Sequence, residues 1–222
     1  MTTYAGTEVV CGNCSRAFTH QKLASCYNAS SPDLDTRPSE MERSTMHSWI
    51  QRCPNCGFCA VDASKFDGRC REIFLSDGYQ NALRGGNDTL KLPATFHCAA
   101  MLYEACGDRA SAGWEHLHLA WIYDDTKQSD LALKHRNKAA DLFLSIIDNG
   151  ESFSSQDGAS EAIVTDVLRR AGRGQEALQI AEQALTKSIS PFIKSVIVFE
   201  RDLISKNDTA VHFMEEITQT ES

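Results

Sequence analysis

The sequence predicts a mainly α protein with a small β module at its N-terminal end, and three observations predict it. Two Cys-x-x-Cys pairs, Cys11/Cys14 and Cys53/Cys56, lie within the first 60 residues of the 222-residue chain. From about residue 90 onward, Ala, Leu, Ile, Glu, Lys and Arg dominate at helical spacing. Between these parts, Ser76-Asp77-Gly78, Gly85-Gly86-Asn87-Asp88 and Pro93 punctuate the chain with turn formers. These signals divide it into a β module over 1–75, a linker over 76–93 and a helical domain over 94–222.

The β module is read from its cysteines. Two cysteines with two residues between them can turn both sulfurs toward one cation, and two such pairs complete the tetrahedral thiolate cage that zinc prefers. Cys11, Cys14, Cys53 and Cys56 are therefore the candidate ligands of one structural zinc ion in a zinc-ribbon-like module. Short strands over 8–10 and 48–51 lead into the two turns. Gly57 follows the second pair, where a sharp knuckle needs a permissive backbone. Arg16 and Arg52 stand beside the pairs and are placed to offset the charge of the cage. Closing the 38-residue loop between Cys14 and Cys53 costs roughly 3 kcal/mol plus a constant. A structural zinc contributes about 10–16 kcal/mol of apparent binding energy, so the metal term dominates. Reduced core thiols and a redox dithiol are weaker readings, because neither needs two pairs.

Other candidates surround this set. Cys59 continues the even spacing of Cys53 and Cys56 and is the alternative ligand; Cys26 and Cys70 lie within possible reach. Cys98 and Cys106 sit at helical positions and read as small packing residues. His20 and His47 have no partner at ligand spacing. His116 and His118 are two apart, so they point to different faces of a helix. A short helix is expected near 69–74, and Phe58, Phe66 and Phe74 need an apolar place to bury.

The segment Ser31-Pro-Asp-Leu-Asp-Thr-Arg-Pro38 and its continuation to Met46 alternates charge between turn-forming prolines. As a solvated loop, its Asp–Arg pairs would hold its shape. As a ligand-recognition loop, it would offer Asp33, Asp35, Arg37 and Arg43, since binding residues favour loops on rigid scaffolds.

Six helices follow Pro93, over 94–106, 110–124, 129–147, 159–171, 174–187 and 191–205. Gly107, Gly150 and Gly172 stand at C-terminal positions that favour positive φ. Ser190 and Pro191 suit the cap and first turn of the last helix. Short connections imply antiparallel neighbours. Ala132 and Ala177 are 45 residues apart, and so are Ala139 and Ala184. Each pair of small residues lets helices approach closely. The pattern resembles a tetratricopeptide repeat, whose period is about 34; the excess falls in the polar stretch 148–158. Leu119, Ala120 and Tyr123 fill first-helix slots in one unit, and Val164, Thr165 and Leu168 fill them in the next. Arg136 stands where an aromatic is usual. Trp114 and Trp121 share a helix face and read as core rather than as a ligand platform.

The formal net charge of −8 disfavours phosphate backbones. The first 60 residues hold as many basic as acidic side chains, so a nucleic-acid-binding ribbon is not expected. No run approaches the roughly 18 apolar residues of a membrane span. The opening Met-Thr-Thr-Tyr-Ala-Gly-Thr-Glu predicts no secretory leader, hence a reducing cytoplasm in which nine cysteines serve as metal ligands or free thiols.

Val10-Cys-Gly-Asn-Cys14, Ser31-Pro-Asp-Leu-Asp-Thr-Arg-Pro38 and Trp49-Ile-Gln-Arg-Cys-Pro-Asn-Cys-Gly57 together resemble the bacterial domain of unknown function 2225 family. The resemblance covers the first 60 or so residues and extends loosely into the helices. It implies a bacterial source, paired cysteines at Cys11, Cys14, Cys53 and Cys56, and a loop of Asp33, Asp35 and Arg37. It implies no activity. The expectation is a zinc-ribbon-like module followed by an antiparallel, tetratricopeptide-like array, acting as a protein-binding adaptor through the helices. The rivals are a zinc-thiolate redox sensor and an enzyme using the segment from Asp33 to Arg43.

Overall fold

A computed structural model describes residues 2–27, 30–85 and 91–219. The protein is mainly α with a small β module, as the composition shift requires. Two compact units divide it. One comprises Met1–Asn28 with Glu40–Ile122, the other Ala29–Ser39 with Tyr123–Ser222. The chain thus divides at other places than the stretch 76–93. Part of that stretch is helical, and its Gly86, Asn87 and Asp88 lie outside the described residues.

In the first unit, β1 (Thr3–Val10) and β2 (Ala17–Ser25) form an antiparallel ribbon. Val10 faces Ala17 and Thr3 faces Ser25, with one irregularity beside Tyr4. The strand into the first cysteine pair is therefore longer than the 8–10 expected, because β2 supplies a full ladder of partners. A second ribbon pairs β3 (Gln51–Arg52) with β4 (Cys59–Ala60). Its first strand is shorter than the expected 48–51. Residues Met46–Ser48 turn instead as a 3-10 helix behind α1 (Glu40–Arg43). Thr45 enforces that turn: its carbonyl accepts from Ser48 Oγ at 2.8 Å and its hydroxyl from Trp49 Nε1 at 3.0 Å.

A second 3-10 turn, Gly68–Cys70, leads into α2 (Arg71–Leu75) and α3 (Asp77–Leu83). The helix expected near 69–74 is thus split between the two. The side chain of Ser76 caps α3 by accepting from Tyr79 N at 3.2 Å, a signal that the turn formers at 76–78 obscured. Phe58, Phe66 and Phe74 pack edge to face, at centroid distances of 5.2–6.3 Å. Tyr79 extends the cluster at 5.2 Å from Phe74. Such pairs contribute about 0.5–1.5 kcal/mol each beyond area burial. Then come α4 (Lys91–Cys106) and α5 (Arg109–Asp125). On α5, Trp114, His118 and Trp121 recur at helical spacing, and the His118 ring meets Trp49, Phe96, Trp114 and Trp121 within 6.1 Å. Trp121 is buried core, whereas Trp114 is half-buried. No helix among the described residues is long and apolar enough to cross a membrane.

The last turn of α5, from Tyr123, belongs to the second unit. There α6 (Ser129–Ile147), α7 (Ala159–Arg170), α8 (Gly174–Leu185) and α9 (Pro191–Ser205) pack as successive neighbours, followed by α10 (Met214–Gln219). The boundaries follow the punctuation. Gly158 and Gly172 have φ of 81° and 73°, and Ser190 Oγ accepts from Ile193 N at 3.3 Å, ahead of Pro191 in the first turn. Ala132, Ala139, Ala177 and Ala184 are all buried, as the 45-residue offset requires of small contact residues. The stretch 148–158 is knitted down: Ser160 Oγ accepts from the amides of Phe153 and Ser154, and Phe153 stacks on Phe143 at 4.2 Å.

The core of this unit runs through Ala162, Ala181, Ala184, Ile193, Val196, Ile197, Leu203 and Ile217. It also contains Leu34. Residues 32–34 lie antiparallel to 212–214: Leu34 N donates to His212 O and Met214 N to Pro32 O, both at 3.0 Å. Burying one leucine stabilises by about 1.5–3 kcal/mol. The segment expected as a solvated loop is therefore an inner strap of the helical unit.

Candidate metal centre

Each cysteine pair is the loop of one hairpin. Residues 11–16 join β1 to β2, and 53–58 join β3 to β4. The two loops follow the same plan. Cys11 N donates to Arg16 O and Ser15 N to Cys11 O, at 3.0 and 2.8 Å. Cys53 N donates to Phe58 O and Gly57 N to Cys53 O, both at 2.9 Å. The residue after each pair takes a left-handed backbone, with φ of 80° at Gly57 and 59° at Ser15. The role read for Gly57 holds, and Ser15 fills the same role at some steric cost.

The four sulfurs of Cys11, Cys14, Cys53 and Cys56 lie within 4.8 Å of one another. Cys11 Sγ is 3.7 Å from Cys56 Sγ, and Cys14 Sγ is 3.7 Å from Cys53 Sγ. A tetrahedral cage with metal–sulfur bonds near 2.3 Å has edges of about 3.8 Å. The donor set thus fits a thiophilic metal ion, and the protein closes all four positions itself.

Two amides complete the centre. Asn13 Nδ2 donates to Cys56 Sγ and Asn55 Nδ2 to Cys14 Sγ, each at 3.4 Å. Each loop's asparagine thus reaches the other loop's second cysteine. Both occupy the third place of a Cys-x-Asn-Cys sequence, which is the signal for them in the sequence. Arg52 Nη2 donates to Leu83 O at 3.1 Å, and Arg16 is exposed. Neutral amides suit this place because they soften thiolate charge without a bulky cation.

The thiols differ in environment. Burial pushes Cys11 up to about 12 and also raises Cys56. The backbone amide of Arg16 and the side chain of Asn55 hold Cys14 down, to about 6. A bound dication favours the thiolate at all four positions and couples its own affinity to proton release.

A close backbone approach frames the first loop, and a close side-chain approach frames the second. Gly12 N donates to Ala63 O at 2.8 Å, and a Cβ on Gly12 would sit 2.5 Å from Ser64 O. A Cβ on Gly57 would sit 2.3 Å from Leu83 Cδ2.

Cys59, the alternative ligand, does not join the cluster. It is fully buried, and its Sγ donates to Gly57 O at 3.3 Å. Its neighbours are Tyr79 and Cys98; Cys98 and burial raise its pKa well above the ordinary value, against a lowering by the Tyr79 hydroxyl. The hairpin turn explains this: Cys53 and Cys56 lie in the loop, whereas Cys59 has already entered β4. Cys26 and Cys70 also lie outside the cluster. His20 Nε2 donates to Ser48 O at 2.9 Å, and His47 Nδ1 meets Ser44 O at 3.1 Å.

Arg43 belongs to the first unit; Asp33, Asp35 and Arg37 belong to the second. There all three are buried. Arg37 pairs with Asp125 and lies 3.8 Å from Asp33. Arg170 donates to Asp35 at 2.8 Å and to Asp124 at 3.0 Å. Arg136, in its aromatic slot, donates to Asp124 at 2.6 Å, and Arg169 donates to Asp166 at 2.6 Å. Carboxyls outnumber guanidiniums in this network. Burial and the charge of Asp35 push Asp33 up to about 7. Burial raises Asp166, and burial together with Asp166 raises Glu200 well above its ordinary value.

Comparison with protein-family models, curated proteins and solved structures matches none of them.

Proposed function

We propose that the protein is a bacterial adaptor whose first unit is held by one structural zinc ion and whose helices dock a protein partner. The observation that carries the first half is the closed set of four sulfurs at tetrahedral spacing. A catalytic zinc site keeps one position for water or substrate, whereas a structural site fills all four from the chain. The two hairpins that supply the sulfurs are too small to hold their shape alone, so coordination is what fixes them.

The second half rests on the helical unit. A groove of about 780 Å3 between α8 and α9 is lined by Leu178 and Val198 among Arg173, Glu176, Arg201 and Asp202. Apolar patches rimmed by charge are a common form of protein-docking surface. The tetratricopeptide-like reading, the cytoplasmic location and the likeness to the domain of unknown function 2225 family belong to the same proposal.

Two measurements test it. Metal analysis of protein purified without added metal should give about one equivalent of zinc per chain for a single four-ligand site. Affinity capture from a bacterial lysate should return a protein that the wild type retains and Arg201→Glu loses. A folded, zinc-free protein overturns the metal half. Capture that is indifferent to the groove overturns the adaptor half.

A further inference from the structure

Outside the tetrad, two thiols line one cleft. Cys70 closes the 3-10 turn Gly68–Cys70, and Cys106 is the last residue of α4, against which that turn packs. The two thiols are close enough that Cys106, after burial, raises the Cys70 thiol. They line a cleft of about 550 Å3 whose walls include Phe58, Phe66 and Tyr103. Lys65 and Arg69 also line it, and the Arg69 guanidinium feels the charge of both sulfurs. The turn is fixed from below: Cys70 Sγ donates to Asp67 O at 2.8 Å, and Asp67 is held by the amide and guanidinium of Arg69.

We propose that Cys70 and Cys106 form a reversible dithiol–disulfide site, oxidised by a hydroperoxide that enters this cleft. The pairing suits two-electron sulfur chemistry better than a second metal. Among the described residues, only the tetrad draws three or more candidate ligands together. Cys106 is half-buried and Cys70 is 2% exposed, so Cys106 is the sulfur that meets solvent. Its thiolate attacks one peroxide oxygen, the O–O bond breaks, and the alcohol (water, for hydrogen peroxide) departs with a proton. The Cys106 sulfenic acid that results is then attacked by the Cys70 sulfur. The S–O bond breaks, and hydroxide leaves as water with the Cys70 proton. Two thiols lose two electrons, and one hydroperoxide is reduced. Burial pushes the Cys70 thiol up to about 12, which suits a sulfur that stays protonated until this second step. Cys59 lines the same cleft but is fully buried and turned to Gly57 O. The tetrad sulfurs are assigned to the proposed metal ion.

The test treats full-length, metal-loaded protein with hydrogen peroxide, blocks the remaining thiols with iodoacetamide and maps cross-linked peptides after non-reducing digestion. The expected first product is a Cys70–Cys106 peptide, with two thiols lost per chain, metal retained and dithiothreitol restoring both thiols. Cys70→Ser should leave a sulfenic acid at Cys106 that dimedone captures. Cys106→Ser, at a half-exposed helix end that tolerates serine, should leave Cys70 unoxidised. A first cross-link through Cys59, Cys98 or a tetrad cysteine overturns the proposal. So does metal release before any loss of the Cys106 thiol.

Discussion

Arg170 Nη1 donates to Asp35 Oδ2 at 2.8 Å across 135 positions of sequence. The same guanidinium reaches Asp124 Oδ2 at 3.0 Å with its other nitrogen, where Arg136 also donates. One side chain thereby ties the strap 32–37 and the end of α5 to α7. Removing one partner of a buried pair leaves an uncompensated charge and costs about 3–5 kcal/mol. Arg170→Met should therefore lower the urea midpoint of the second unit sharply. Arg170→Lys should recover only part of the loss, because an ammonium lacks the planar fork that serves two carboxylates. Equal stability of Arg170→Met and wild type would contradict this role.

Stability of the second unit should fall as pH rises. Asp33 is pushed up to about 7 by burial and by Asp35, well above the ordinary value near 3.9. A carboxyl raised in the folded state stabilises fully below its unfolded pKa, and that contribution is lost as pH climbs through the folded value. Asp166 and Glu200 shift in the same direction. Hydrogen-exchange protection of α7 and α9 should thus be lower at pH 8 than at pH 5, and Asp33→Asn should flatten the difference. Protection that rises over this window would refute the assignment.

Ligand identity separates cysteines that are close in sequence. Cys53→Ser should release the metal, while Cys59→Ser and Cys98→Ser should retain it. Chelation of the wild type should remove exchange protection from the two hairpins, while α6–α9, whose core contains no metal ligand, stay protected. Metal loss in Cys59→Ser, or collapse of α6–α9 on chelation, would show that the ligand set or the independence of the helical core is wrong.

The asparagine amides should tune the centre without making it. Asn13→Ala and Asn55→Ala each remove one donor to sulfur at 3.4 Å. Loss of such outer partners typically costs about 10–100-fold in metal affinity. Competition against a chromophoric chelator measures this directly. Unchanged affinity in both variants would show that the amides are spectators.

Gly12→Ala should destabilise the first unit by about 1–3 kcal/mol, the usual cost of forced overpacking. Its Cβ would meet backbone at Ser64 and Phe66 rather than a movable side chain. Thermal unfolding of the metal-loaded protein reports it. A midpoint equal to that of the wild type would mean that the 64–66 backbone yields at little cost.

The sequence by itself determined the parts whose physics is local. A four-thiolate cage needs only two Cys-x-x-Cys turns, and both were visible. Helix limits were visible because caps and left-handed glycines act within one turn. Ser190 with Pro191 and Gly172 stand where α9 begins and where the chain turns after α7. The buried alanines 45 positions apart were readable because close packing demands small residues at fixed spacing. Tertiary structure alone decided where Asp33, Asp35 and Arg37 went. Their alternation of charge looks the same in a solvated loop as in a buried strap; only the arginines of α6 and α7 and the core around Leu34 distinguish the two. Likewise Gly12 shows its necessity only when the 64–66 backbone passes over it. Cys59 is separated from Cys56 because β4 pairs with β3 and carries the third sulfur into the apolar interior. Cys70 and Cys106, 36 residues apart, share one cleft because packing brings a 3-10 turn onto α4. Such long-range contacts depend on the summed burial of many side chains, and no short window of sequence contains that sum.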